Sequence, residues 1–197
     1  MTRLPEGYRE VRRVDLMRNR KEAVLVNLLA LIITGVMIVL GFVICPSFTE
    51  FEIGIHTIVG IILMTIGIVV YMILHEVIHG VFMKAFSGIR PRYGFTGLYA
   101  YAGSDALFCR KQYIVIAFAP VVILGLALAV LTVAFYETAF WYLYIIQIVN
   151  ISGAAGDLYV GTMIARATND VMVRDAGTDM SLYSARSQVR RYNRLRS

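Results

Sequence analysis

Four apolar stretches limit what this chain can fold into more than any other feature. They run roughly from Ala23 to Cys45, from Ile53 to Phe86, from Tyr113 to Phe135 and from Ala139 to Ala165. Each reaches or exceeds the about 20 residues that a helix needs to cross a hydrocarbon core. The whole chain agrees with that reading: 58% of its 197 residues are hydrophobic and only 16% are charged, with a mean hydropathy of +0.69, outside the usual range of a water-soluble domain. The expected fold class is an all-α membrane protein with about four transmembrane helices. The first stretch does not read as a cleaved leader, because it is too long and Ile44-Cys45-Pro46-Ser47 lacks the small-x-small pattern of a cleavage site.

Charge then sets the expected topology. All 19 Lys and Arg fall within residues 3–21, 84–111 and 166–196, while the loop from Pro46 to Glu52 and the tight turn near Tyr136 and Glu137 hold acids only. The positive-inside rule places both termini and the middle loop in the cytoplasm, in a multi-pass protein of the cell membrane. The net charge of +6 is accounted for by juxtamembrane cations facing the lipid bilayer, so no nucleic-acid partner is expected. Residues 1–22 read as a cytoplasmic tail or interfacial helix, 23–166 as one membrane domain, and 167–197 as a partly disordered cytoplasmic basic tail. Cys45 and Cys109 fall on opposite sides of the membrane in this topology and cannot bridge.

Inside the second apolar stretch lies His75-Glu76-Val77-Ile78-His79. On a helix, positions i and i+4 share a face, so both imidazoles can bind one Zn²⁺ while Glu76 stands beside an open position as general base, an arrangement that hydrolyses amides. Ionisable residues at such a place are costly to bury and are functional by default. At about 1.5 Å per residue, His75 lies about 33 Å from Ile53, near the cytoplasmic edge of the hydrocarbon core, where water can reach it. His56 is about 28 Å away on the same helix and cannot share the metal. Asp157, the acid of the fourth stretch, lies about 27 Å from Ala139 and so near the depth of His75 and His79. Asn150, Gly153, Ala154, Asp157 and Gly161 share one helical face, along which another helix can approach closely. Two partners for the Asp157 carboxylate stand open at this point: the metal, or a nearby cation such as Arg166.

The middle loop has a different periodicity. From Arg92 to Gly103, Tyr93, Phe95, Tyr99 and Tyr101 alternate with smaller residues, which predicts strands with the aromatics on one face. A small β-hairpin or re-entrant segment on the cytoplasmic side follows. An exposed strand edge there is one way to hold an extended peptide; a plain aromatic interfacial loop is the other reading.

Leu74-His75-Glu76-Val77-Ile78-His79-Gly80, followed later by Asn150-Ile-Ser-Gly-Ala-Ala-Gly-Asp157, resembles the membrane-embedded zinc metallopeptidases of the site-2 protease type. Over residues 20–166 the chain looks most like a small prokaryotic family of multi-pass zincin peptidases. The resemblance implies that His75, His79 and Asp157 hold Zn²⁺, that Glu76 activates water, and that Asn150 holds the substrate backbone or the oxyanion. It differs from site-2 proteases in having Gly156 before and Leu158 after the later Asp, where they carry an Asp-Gly pair near an Asn-Pro. The expected activity is hydrolysis of membrane proteins or membrane-adjacent peptides near the cytoplasmic face. Two other classes fit the same residues: a membrane protein that binds zinc structurally or transports a metal, for which a base beside an open position has no use, and a scaffold that binds membrane partners without turnover.

Overall fold

The computed structural model describes residues 3–16, 18–45, 55–97 and 99–185. The acidic Pro46–Glu52 loop and the basic run from Arg186 to Arg196 lie outside the described residues. Among the described residues, six strands and five helices follow one another as β1 (Tyr8–Val14), α1 (Arg20–Ile44), α2 (Ile55–Ser87), β2 (Arg92–Phe95), β3 (Ala100–Gly103), β4 (Leu107–Cys109), α3 (Arg110–Ala134), α4 (Tyr136–Gly153), α5 (Ala155–Ala165), β5 (Met172–Asp175) and β6 (Met180–Ala185). Helices α1, α2 and α3 are each long and apolar enough to cross a membrane, and α4 with α5 would make a fourth such span if taken together. The chain divides into two compact units, one of Met1–Ala23, Glu76–Ala119 and Asp157–Ser197, the other of Val24–His75 and Pro120–Gly156.

The second unit is helical and apolar. Its packing is carried by large aromatics on α4 set against small residues: a Cβ on Gly41 of α1 would lie 2.6 Å from the Tyr144 ring, and one on Gly60 of α2 would overlap the Tyr142 ring. Phe140 and Tyr144 stack with centroids 5.1 Å apart, and the Tyr144 hydroxyl donates to the Met37 carbonyl at 2.8 Å. On their other faces the helices show bare hydrocarbon, with Leu31 and Val43 of α1, Leu63 of α2 and Val133 of α3 all more than half exposed. In water each such side chain forgoes roughly 1.5–3 kcal/mol relative to burial.

The first unit contains the sheets. Strands run in the order β1-β6-β5-β4 in one antiparallel sheet, and β2 pairs with β3 in a second. Its core joins Phe108, Val173 and Leu182 from the strands to Met83 of α2, Ile116 of α3 and Ile164 of α5. Thus the segments of α2, α3 and α5 that belong to this unit share a packed interior with its strands. Polar ties reinforce it: Arg12 of β1 donates to Glu22 at 2.6 Å and to the Tyr159 hydroxyl at 2.9 Å, and Arg110 caps the end of α5 by donating to the carbonyls of Ile164 and Ala165.

Three expectations change. The chain is not all-α, because residues 8–14 form β1 where a tail or interfacial helix was expected, and residues 172–185 form β5 and β6 where disorder was expected. β1 reads Tyr-Arg-Glu-Val-Arg-Arg-Val, without apolar alternation, and is ordered by pairing with β6 from the other end of the chain, Tyr8 facing Ala185 and Val14 facing Met180. The fourth apolar stretch is not one helix: α4 and α5 meet at Ala154 with a bend of 42°, between Gly153 and Gly156, so Asn150 and Asp157 do not share a single straight helical face. The hairpin expected from the aromatic alternation is present, Arg92 pairing with Gly103 and Phe95 with Ala100 around a turn where Gly97 has φ +89°, but its aromatics do not share one face: the register sets Tyr93 and Phe95 with Ala102 and Ala100 on one side and Tyr101 with Gly94 on the other.

Candidate metal centre

Helix α2 runs unbroken through residues 55–87, so His75 and His79 lie one turn apart and Glu76 sits about 100° round the helix from His75. Each imidazole is buried and each is oriented through its Nδ1. For His79 the partner is the Ile116 carbonyl of α3 at 2.9 Å, which can only accept, so Nδ1 carries the proton and Nε2 presents its lone pair. For His75 the partner is the Tyr71 hydroxyl at 3.2 Å, one turn earlier on the same helix, and that hydroxyl donates in turn to the Asn150 carbonyl at 3.4 Å. Outer partners of this kind fix the ring and leave the opposite nitrogen for a metal.

Asp157 lies in the first turn of α5, and its Oδ2 is 3.5 Å from His79 Nε2. With Nδ1 of His79 protonated, two acceptors face one another across this gap unless a proton or a metal ion lies between them. Two ligands of one tetrahedral zinc, each about 2.0–2.1 Å from it, stand about 3.3 Å apart, close to the separation observed. His75 is one turn earlier on the same helix, and the ligand atoms offered by His75, His79 and Asp157 all lie within 4.8 Å of one another. The donor set of two neutral imidazoles and a carboxylate therefore fits zinc, with Glu76 half-buried beside it.

The other residues singled out from the sequence stand as follows. Asn150 is fully buried; its amide donates to the Val121 carbonyl at 3.3 Å and to Gln147 at 3.4 Å, so both amide hydrogens are engaged, while its Oδ1 has no partner among the described residues. Asp105 is exposed and paired with Arg92 at 2.8 Å. Arg166, the alternative partner for Asp157, follows the last residue of α5. His56 is exposed at the start of α2.

Sequence reasoning passed over Asp175 of β5, which accepts from the Tyr113 hydroxyl at 2.5 Å and from the Gly177 N–H at 2.9 Å. Burial pushes its carboxyl up, the two hydrogen bonds oppose that shift, and the negative charge of Asp157 adds to the rise. It adds a further carboxylate, after Asp157 and Glu76, to the electrostatic surroundings of the centre. Nothing in the polar run around Asp175 marked it, since its contact is with Tyr113 of α3, far away along the chain. Tyr71 did carry a signal, a hydroxyl one turn before a candidate ligand. The Ile116 carbonyl carried none, being backbone.

A family model described as "Putative zincin peptidase" matches residues 68–172, just over half of the chain, and the matched stretch holds His75, Glu76, His79 and Asp157. No curated protein and no solved structure matches the chain.

Proposed function

Because the chain belongs to this zincin-peptidase family, we propose that it is a membrane-embedded zinc metallopeptidase that hydrolyses peptide bonds of transmembrane or membrane-adjacent substrates near the cytoplasmic face. The observation that carries the reading is the approach of Asp157 to His79 with His75 one turn away, beside a glutamate in the register that metal-assisted hydrolysis needs. In this reading His75, His79 and Asp157 are the ligands and Glu76 is the general base. Zinc, when bound, supplies Lewis acidity, which makes water a competent nucleophile near neutral pH and offsets negative charge on the carbonyl oxygen.

The residues of the chain do the rest. Glu76 takes a proton as the water oxygen bonds to the scissile carbonyl carbon, and the carbonyl π pair moves onto its oxygen. The oxygen's pair then re-forms the carbonyl as the carbon–nitrogen bond breaks, the bonding pair leaves with nitrogen, and Glu76 returns the proton to that nitrogen, giving an amine and a carboxylic acid, which loses its own proton to water. The hydrogen bonds from His79 to Ile116 and between His75 and Tyr71 keep both rings in one orientation through these steps. The β2–β3 hairpin follows α2 directly and offers strand edges to an extended peptide.

The exposed hydrocarbon of α1, α2 and α3 supports membrane insertion, and the confinement of Lys and Arg supports cytoplasmic termini. A reporter fused after Lys111 is expected on the cytoplasmic side and one within Pro46–Glu52 outside; finding both on one side overturns the topology. The activity is tested with Glu76→Gln, which preserves size and leaves the three ligands alone. It is expected to retain about one zinc per chain and to lose turnover by about 10²–10⁴-fold. In cells carrying that variant, membrane peptides that the native chain cuts should accumulate. Undiminished turnover in the variant removes Glu76 from the role of base.

A further inference from the structure

Hydrolysis through Glu76 leaves one requirement unmet by the residues assigned so far: a hydrogen-bond donor for the carbonyl oxygen as it becomes anionic. Asn150 has both amide hydrogens engaged. Resting on the peptidase reading above, we propose that Tyr93 is a further catalytic residue, its phenol donating a hydrogen bond to the scissile carbonyl oxygen of a bound peptide.

The placement follows from Gly80. It is buried, comes directly after His79 on α2, and lies against the start of the hairpin. A Cβ there would overlap the Tyr93 hydroxyl, would lie 2.6 Å from the ring carbon that bears it, and would be 2.9 Å from Pro91 Cγ. The phenol therefore rests on the helix backbone at the turn that carries the metal motif, and only glycine leaves room for it. Glu76 and Gly80 are four residues apart and share a helical face, adjacent to the face of His75 and His79. A hydroxyl seated on Gly80 is thus on the Glu76 side of the motif, where a peptide attacked by water must lie.

The position is also held and reachable. Tyr93 is in the body of β2, paired with Ala102 of β3, so the hairpin ladder fixes its backbone. Its side chain is 52% exposed, open to an arriving substrate. Partial burial and the negative charge of Glu76 push the phenol above its ordinary range, which keeps its proton in place through the neutral range. Tyr101, on the partner strand, has its ring over Gly94 and Gly177 instead, so the two tyrosines of the hairpin have different tasks.

The test uses the full-length zinc-loaded chain in detergent and compares the native protein with Tyr93→Phe, which removes one oxygen, and with Tyr101→Phe as the hairpin control. The probes are fluorescently labelled casein for turnover, a dipeptide phosphonate that presents a tetrahedral anion, and a dipeptide hydroxamate that chelates zinc without one. Tyr93→Phe is expected to keep its zinc and its melting temperature, to lose about 10²–10³-fold in kcat with KM within about threefold, and to bind the phosphonate at least about tenfold more weakly while the hydroxamate changes by less than about threefold. Tyr101→Phe should match the native chain in every one of these measurements. Native turnover or native phosphonate affinity in Tyr93→Phe overturns the assignment, as does equal weakening of both inhibitors, which marks a packing role. If casein is not cut but the hydroxamate binds, the inhibitor pair decides alone. A native zinc-loaded chain that neither cuts casein nor binds the hydroxamate overturns the peptidase reading itself, and Tyr93 with it.

Discussion

The two units of this protein are stabilised in opposite ways. The helical unit has aromatics set into glycine gaps on its inner faces and bare Leu, Ile and Val on its outer ones; the sheet-containing unit encloses Phe108, Val173, Leu182, Ile116 and Ile164 almost completely. Apolar side chains left in the open are stable against lipid tails, where no water is displaced by burying them, and a closed core needs none. The difference teaches why the polar chemistry is where it is. Glu76, His79, Asp157, Asp175 and Tyr93 all belong to the unit with strands, backbone ladders and a sealed interior, which can hold carboxylates and imidazoles with fixed partners. The helical unit ends its α2 segment at His75, which is steadied within that unit by Tyr71 one turn earlier and, through the Tyr71 hydroxyl, by the Asn150 carbonyl.

Substitutions can break that contrast or sharpen it, and the largest effect is expected at Asp157. Asp157→Ala removes the carboxylate facing His79 and should abolish both zinc binding and turnover, since two imidazoles alone hold zinc weakly. Asp105→Ala removes an exposed acid of the same unit, paired only on the surface with Arg92, and should leave zinc bound. Metal analysis of the two purified variants decides the matter: full zinc in Asp157→Ala with loss in Asp105→Ala moves the third ligand to the loop. Smaller, and confined to stability, is Phe108→Ala in the closed core, expected to cost about 3–5 kcal/mol in thermal unfolding followed in detergent. Smallest is Leu31→Ala on the open face of α1, where the side chain is 68% exposed; it is expected within about 0.5 kcal/mol of native. If Leu31→Ala proves as damaging as Phe108→Ala, the outer face of α1 is a protein interface rather than a lipid-facing surface.

Much of the helical scaffold was legible in the sequence, because an uninterrupted apolar run of membrane length has few other folds open to it. The pairing of His75 with His79 was legible for the same local reason, a helical period of 3.6. Depth counting brought Asp157 to the right level but assumed a straight fourth helix; the bend at Ala154 shows that the level was reached by another route. The hairpin showed itself through its period of two. β1, β5 and β6 did not, because half their residues are charged or polar and their order comes from partners far along the chain, such as Tyr8 with Ala185 and Leu107 with Arg174.

What the sequence by itself determined is whatever depends on the chain's immediate neighbours and its solvent: the long apolar helices, the motif's register on one of them, and the division of charge along the chain. Tertiary structure alone decided which groups face the motif. Asp157 against His79, Ile116 behind the His79 ring, Asp175 on Tyr113, and Tyr93 over Gly80 each join residues from different elements. Such juxtapositions depend on long-range packing and strand pairing, whose free energy is spread over the whole core and leaves no local pattern in the residues it brings together.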